Sequence, residues 1–444
     1  METRRQLVHT SIGLFALSLR WLPAWGAVLL AATGVAFNLA LLPRIAPGLF
    51  RDREAGMRFS SGIVLYPIAV LFLVLVFHDR LHLAALLWGI LAFGDGPATL
   101  AGRAFGRARL PWNREKSWAG TAAYFVCGGA AGAILFWWVA QRTAPGAFDL
   151  AAIGAIAFST ALLGALLESL PIGLDDNVSV PLLGALFVGA ITLVEPARVA
   201  AAAPALSARL LPALGLNALL GGLAFAGRSV KVSGLVAGIV IGAGIYLFLG
   251  PAGFAILFLF FVMGSGASKL GYRRKAEKGL AQEEGGRRGA KHAIANAGAG
   301  LVLAFLAAAT GHGPLFALAF VAAFATAASD TVSSEIGQLI GKHPFLITTL
   351  RPVPPGTEGA VSVEGTVAGI VASAVVAGAA VALGLVTPAG ALVVIAAAFV
   401  GTTVESVLGA TLERLKLIDN EAVNFANTLI GALVAIAIAA PLGL

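Results

Sequence analysis

About fifteen apolar stretches, each near the length a helix needs to cross a bilayer and separated by mostly short polar loops, constrain this chain more than any motif does. Backbone amides in hydrocarbon have no water to bond, so such a chain must close its hydrogen bonds inside helices. Of the 444 residues, 59% are hydrophobic and only 12% charged, against roughly 25% charged in a soluble domain. That balance excludes a soluble enzyme. The expected fold class is all-α: a polytopic integral membrane bundle of about fifteen transmembrane helices.

The spans are expected near 8–22, 24–43, 61–77, 83–101, 118–140, 148–168, 177–195, 210–227, 232–250, 253–269, 292–310, 314–336, 365–386, 390–411 and 422–443. METRRQLVHT and the run after it could pass for a signal peptide, but Arg20 interrupts the run and hydrophobicity resumes behind it, so it reads as the first span. With the N-terminus cytoplasmic, 25 of the 30 Lys and Arg fall on one side: Arg4, Arg5, Arg44, the 51–58 and 103–116 clusters, Arg228, Lys231, the 269–291 cluster, Lys342, Arg351, Arg414 and Lys416. Arg20, Arg80, Arg142, Arg198 and Arg209 take the other, the asymmetry that the positive-inside tendency produces. The net charge of +8 therefore reads as a topology signal and not as a nucleic-acid surface. The lone Cys127 excludes an intrachain disulfide. EPARVAAAAPALSARLLP, residues 195–212, shows no strong periodicity and reads as the boundary between two halves.

Polar blocks recur in the same order in each half. GDGPATLAGRAFG at 94–106 and SDTVSSEIGQLIG at 329–341 both place glycines seven and eleven residues after an aspartate, Asp95 or Asp330. SWAGT at 117–121 and SVEGT at 362–366 share S-x-x-G-T. Glu168-Ser169 precedes Asp176-Asn177, and Glu405-Ser406 precedes Asp419-Asn420. RRxxxH occurs at Arg4, Arg5, His9 and at Arg287, Arg288, His292. The intervals from His9 to Asp95 and from His292 to Asp330 differ by 48 positions, about two spans, so both copies of every block should meet the same membrane face: a parallel duplication, not an inverted one.

A carboxylate at the end of a membrane helix is costly unless paired, hydrated or bound to a cation, which makes Asp95 and Asp330 functional candidates. Each shares a helical stripe with small residues, Ala98, Gly102 and Gly106 or Ser333, Gly337 and Gly341, and such a stripe also serves as a helix-packing seam. Asp176 and Asp419 stand before a late helix in each half. They suit an N-cap, or a share in a magnesium ion that takes one or two carboxylates and leaves its other positions to phosphate and water. Glu168 and Glu405 read equally as partners of that site or as interface carboxylates. Arg114 and Lys116 flank the first S-x-x-G-T block, where a lysine is a plausible point charge for polyphosphate or a topogenic charge. The second half offers Lys269 and Arg273 in GSGASKLGYRR, which is not a Walker A loop. His78 and His82, four apart around Asp79 and Arg80, read as interfacial histidines in a loop on the opposite face, and the 269–291 run as a solvated loop near anionic lipid.

GDGPATLAGRAFG, NREKSWAGT and ESLPIGLDDNVSVP, within roughly residues 1–195, resemble the polyprenol kinase family of phytol and dolichol kinases, related to CDP-diacylglycerol synthase. GSGASKLG, AKHAIANAG, SDTVSSEIG, PPGTEGAVSVEGT and LIDNEAVNFANTLIGAL resemble the transmembrane-protein-19-like family that includes phytyl-phosphate kinase. The resemblance implies residues 1–200 as a kinase of an isoprenoid alcohol such as phytol, geranylgeraniol or farnesol, with CTP as donor, and residues 201–444 as a kinase of the resulting monophosphate. By the match, Asp95 and Asp176 hold magnesium and CTP in the first site with Lys116 on phosphate. Asp330 and Asp419 do so in the second, with Lys269 as the supporting cation. The small and polar positions Gly102, Gly106, Ser117, Gly120, Thr121 and Asn177, and Gly337, Gly341, Ser362, Gly365, Thr366 and Asn420, form the nucleotide-binding turns. The implied setting is isoprenoid salvage at a bacterial inner membrane, with the motif loops cytoplasmic and no nucleic-acid partner. A CTP-dependent lipid cytidylyltransferase and a duplicated-bundle transporter are the rival readings.

Overall fold

The computed structural model describes residues 10–45, 61–170, 175–277 and 287–444. Arg4, Arg5, His9, the 51–58 cluster and part of the 269–291 run lie outside the described residues. The chain divides at Thr192/Leu193 into two compact units, eight residues before the boundary expected at 200/201.

The first unit contains α1 (Thr10–Arg20), α2 (Ala24–Ala40), α3 (Ser61–Val76), α4 (Leu81–Phe105), α5 (Trp118–Thr143), α6 (Leu150–Ser169) and α7 (Asp176–Ile191). The second contains α8 (Pro196–Ala226), α9 (Val232–Lys269), α10 (Ala290–Ala309), α11 (Gly313–Ile340), α12 (Val363–Ala382), α13 (Pro388–Glu413) and α14 (Asn420–Leu442), with a two-residue antiparallel pair, β1 (Phe345–Leu346) and β2 (Ala360–Val361), between α11 and α12. Short turns at Leu42–Ile45 and Tyr272–Glu277 complete the described helices.

All fifteen expected spans fall on helix, but not as fifteen equal crossings. Among the described residues ten helices are long and apolar enough to span a membrane; α1, α2, α7 and the Val64–Val76 stretch of α3 are shorter. The expected spans 232–250 and 253–269 are continuous in α9, which bends where Gly250 takes φ +67° ahead of Pro251, a backbone state that glycine adopts without a Cβ penalty. The boundary expected at 195–212 is helical too. Its prolines sit at the first helical position of α8 and inside it, at Pro204 and Pro212, and local composition alone misreads such a lipid-exposed helix as a linker.

One helix is central in each unit. In the first, α4 is the most enclosed and packs against α1, α3, α5, α6 and α7; in the second, α11 packs against α9, α10, α12, α13 and α14. Alanine and glycine allow this close approach, as small residues do where lipid supplies no hydrophobic drive for helices to associate. The outer surfaces carry exposed Leu, Val, Phe and Trp, for example Trp25, Leu211 and Leu392. Arg20, the charge within the first span, donates from Nη1 to the Trp138 carbonyl at 2.9 Å and stacks 4.2 Å from the Trp138 ring centroid.

Candidate functional site

Asp95 lies on α4 and Asp330 on α11, the central helix of each unit, and the same construction follows each of them. The first helix ends at Gly106 or Gly341. A connecting segment then leads to a serine N-cap, Ser117 or Ser362, whose hydroxyl accepts from Gly120 N or Gly365 N at 3.2 Å. The two caps adopt nearly the same backbone, φ/ψ −134/153° and −136/153°. A Cβ at Gly102 would meet Ser117 Oγ at 3.3 Å, and one at Gly337 would meet Ser362 Oγ at 3.0 Å. The glycines seven and eleven residues after each aspartate thus let the capped helix start against the aspartate helix. Thr121 and Thr366 donate from their backbone N to the cap carbonyl as ordinary first-turn residues.

In the first unit the 106–117 segment is a tight hairpin, with Arg109 bridged to Ser117 and Leu110 N donating to Lys116 O at 3.1 Å. Trp112 Nε1 and Asn113 Nδ2 donate to Ser169 Oγ and Ser169 O at 3.3 and 3.2 Å, docking the hairpin on the end of α6. This carries Lys116 onto Glu168, with Nζ–Oε1 2.8 Å, and to Asp176 Oδ2 at 3.6 Å. Asp95 lies within electrostatic reach of the same ammonium. Burial pulls the Lys116 pKa down, but Glu168, Asp176 and Asp95 together outweigh it and hold the ammonium above the usual lysine value. Glu168 is buried, and its second oxygen, Oε2, has no hydrogen-bond partner; neither has the buried Tyr124 hydroxyl, on the helix between them. Arg114 is exposed.

The expectation that Asp176 caps α7 needs correcting. Asp175 is the cap, accepting from both Asn177 N and Asn177 Nδ2 at 2.9 Å, and Asp176, one residue on, is turned to Lys116. The two carboxylates thereby divide the roles that one was expected to combine. Asp175→Ala should cost about 1 kcal/mol of stability, the usual worth of an N-cap, whereas Asp176→Ala should leave the melting temperature nearly unchanged and act on function; thermal unfolding of both variants separates them.

In the second unit Asp419 does cap α14, accepting from Ala422 N at 2.9 Å. The segment before Ser362 folds onto the end of α13, where Gly359, at φ +72°, packs on the Ser406 carbonyl and the Ala410 amide, with no room for a Cβ. Its neighbour Glu358 thereby joins Asp330, Glu405 and Glu413 in one acidic group, the charges lying within electrostatic reach of one another, and Asp419 lies near Glu413. Where the first unit has Lys116 immediately before its serine cap, this unit has Val361. Asn420 accepts from Asn424 Nδ2 at 3.0 Å.

Lys269 is not brought to Asp330. It ends α9 exposed, two residues before Gly271, which packs on Leu339 near the far end of α11, about 14 Å along the helix from Asp330. The cation that does meet α11 is Arg288, whose guanidinium lies against Gly264 near Thr331 and within electrostatic reach of Glu335. His82, expected in an interfacial loop, is instead in the first turn of α4, buried, stacked on Phe136 at 5.3 Å and bonded from Nδ1 to Thr143 Oγ1 at 2.9 Å; His78 pairs with Asp79. Sequence reasoning did not single out Tyr124, Glu358 or Glu413. Tyr124 lies in an otherwise apolar helical run, Glu413 at the charged end of α13 and Glu358 in a loop, and only packing joins them to the aspartates.

Among the described residues no three His, Cys, Asp or Glu side chains converge tightly enough to form a complete protein cage for a metal. The hard oxygen donors of each cluster fit a magnesium ion that keeps most of its positions for phosphate and water.

Two helical units, each with carboxylates gathered around an aspartate on its central helix, define an integral membrane protein with polar sites built inside its bundles. The chain belongs to the integral membrane protein DUF92 family, whose model matches residues 215–432. It is 42% identical over 207 residues to the membrane protein sll0875 of Synechocystis sp., spanning 45% of this chain and 79% of that one. It is 32% identical over 137 residues to probable phytol kinase 2 of Glycine max, covering 30% of this chain and 47% of the relative. With CTP-dependent diacylglycerol kinase 1 of Schizosaccharomyces pombe it shares 29% identity over 206 residues, 41% of this chain and 90% of the relative. No solved structure matches the chain significantly.

Proposed function

We propose that the protein is a CTP-dependent kinase of membrane-dissolved isoprenoid alcohols, its first unit making the monophosphate and its second the diphosphate. The observation that carries the reading is Lys116, held among Glu168, Asp176 and Asp95: one fixed positive charge among acidic oxygen donors, the set that binding a nucleoside triphosphate requires. Relatives named as a phytol kinase and a CTP-dependent diacylglycerol kinase support the donor and the class of acceptor.

Phosphoryl transfer asks a protein for in-line positioning and neutralised charge. Lys116 neutralises phosphate oxygens, and the hairpin docked on Ser169 fixes its position. Asp95 and Asp176 would hold magnesium, which would supply positive charge against that of the phosphates. Glu168 Oε2 is the unpartnered acceptor for the proton of the alcohol. As the alcohol oxygen bonds to the γ-phosphorus, the bond from that phosphorus to its bridging oxygen breaks, CDP leaves, and the proton rests on Glu168. In the second unit Asp330 and Asp419 would take the corresponding places, with Glu405, Glu413 and Glu358 adding negative charge.

Purified protein given magnesium, CTP and geranylgeraniol or phytol should yield monophosphate and then diphosphate by mass spectrometry of the lipid. A product retaining CMP would mean cytidylyl transfer, and untouched CTP and alcohol would refute both. Because the second unit gathers carboxylates where the first has Lys116, its step should fail first as magnesium is lowered. Monophosphate should then accumulate, and parallel loss of both products would contradict that difference.

A further inference from the structure

A cavity of about 350 Å³ opens between α8, α9 and α10 in the second unit, within the usual range for small-molecule sites. Leu220, Leu235, Phe254, Phe258 and Phe261 make most of its wall. Its polar lining is sparse: Asn217, Arg288, His292 and Asn296. Both amides donate to their own helices, Asn217 Nδ2 to Ala213 O at 2.8 Å and Asn296 Nδ2 to His292 O at 3.0 Å. Arg288 therefore supplies the full positive charge of an otherwise apolar space.

That arginine is held by its backbone. Arg288 N donates to Ser229 O at 3.1 Å and its carbonyl accepts from Lys231 N at 3.0 Å, a strand-like bridge that ties the start of α10 to the α8–α9 turn. Its guanidinium lies on Gly264 of α9, beside Thr331, the residue after Asp330 on α11, with Glu335 of the same helix within electrostatic reach. The guanidinium thus stands between the apolar wall of the cavity and α11. Glu335, the acid within its reach, does not line the cavity, so a ligand that is apolar along its length and anionic at one end matches both the wall and the arginine that faces it.

We propose that this cavity binds a single-chain lipid monophosphate, its chain among Leu220, Phe254 and Phe258 and its phosphate on Arg288, on the side of the cavity nearest α11. The proposal rests on the kinase reading for the identity of the occupant, and Arg288 acts as a positioning residue for the phosphorylated intermediate. Gly238 provides an independent handle: it lines the cavity, and nothing lies within 4 Å of a Cβ there, so a large side chain can be placed at the cavity wall without displacing a neighbour's backbone.

The test is binding without nucleotide, with farnesyl monophosphate, farnesol and inorganic phosphate as probes and the full-length protein in detergent. Wild type should prefer the monophosphate over farnesol by about tenfold or more, the scale of one charge-assisted contact, and inorganic phosphate should not displace it. Arg288→Gln should erase that preference with farnesol binding unchanged, and Gly238→Trp should weaken both lipids. A photoreactive farnesyl monophosphate on wild type should label α8, α9 and α10, a result independent of how the variants fold. Labelling elsewhere, an intact preference in Arg288→Gln, or displacement by inorganic phosphate would overturn the proposal. Binding as expected with no phosphate transfer from CTP would retire the kinase reading and leave the cavity assignment standing.

Discussion

Given CTP and an isoprenoid alcohol, the Asp330→Asn protein is expected to stop at the monophosphate, while Asp95→Asn makes no product from the alcohol yet still converts supplied monophosphate to diphosphate. The change keeps size and removes one charge. Asp330 is buried on the central helix, and its carboxylate faces a group that already includes Glu405 and Glu413. On the kinase reading this group would hold the cation that accompanies the nucleotide, and removing the innermost carboxylate should weaken that hold. The expected loss in the second step is on the order of 10² to 10³-fold, the scale of deleting one preorganised group from a charged transition state. Lipid mass spectrometry with alcohol and with monophosphate as separate starting materials reads the result. Equal loss of both steps in either variant would contradict the assignment of one step to each unit.

The second large effect is expected at Lys116. Lys116→Met should abolish monophosphate formation, by about 10³-fold or more, because its ammonium is the fixed positive charge within reach of Asp95, Glu168 and Asp176. It should also destabilise the fold by about 1–3 kcal/mol, since it leaves Glu168 buried without its ionic partner. That figure sits below the cost of breaking a fully buried pair because the Lys116 side chain is 34% exposed and water screens it. Lys116→Arg should restore stability better than activity, since a planar fork does not reproduce a compact ammonium. The sign of the pH dependence follows from the raised lysine pKa. The contribution of this pair is fully present below the ordinary lysine value and is lost as pH climbs through the raised one, so the stability difference between Lys116→Met and wild type should be flat on the lysine side across neutral pH. Thermal unfolding in detergent measures it.

Unlike the first cluster, the second has Val361 in the position of the lysine, and Glu358, in the segment leading to its serine cap, adds to its acidic group. On the kinase reading, a site with excess carboxylate would depend on a metal for charge balance. The arginine beside that helix is Arg288, on the cavity side, and the proposed division of labour sets acids toward metal and nucleotide and arginine toward a lipid phosphate.

Much of this protein is fixed locally. Apolar stretches of span length with few charges specify helices in lipid whatever their neighbours do, because the backbone has no other way to satisfy its amides there. The block repeat carries through to geometry, since Ser117 and Ser362 cap their helices in the same conformation and the glycines of each aspartate helix make room for them. These are contacts between residues of one short stretch, or between two stretches whose spacing is written in the sequence. What the tertiary structure alone decided are contacts across long separations and the division of a role between neighbours. Lys116 meets Glu168 because a hairpin docks on Ser169. Asp175, not Asp176, takes the cap because only one of two adjacent carboxylates can turn back onto the helix start while the other faces Lys116. Arg288 replaces Lys269 as the cation beside α11 because a backbone bridge to Ser229 and Lys231 pins it there, while α9 carries Lys269 toward the far end of α11. Periodicity and spacing act along the chain, so they report on helices and caps; which charge comes to rest beside which depends on how helices pack, and nothing local encodes that.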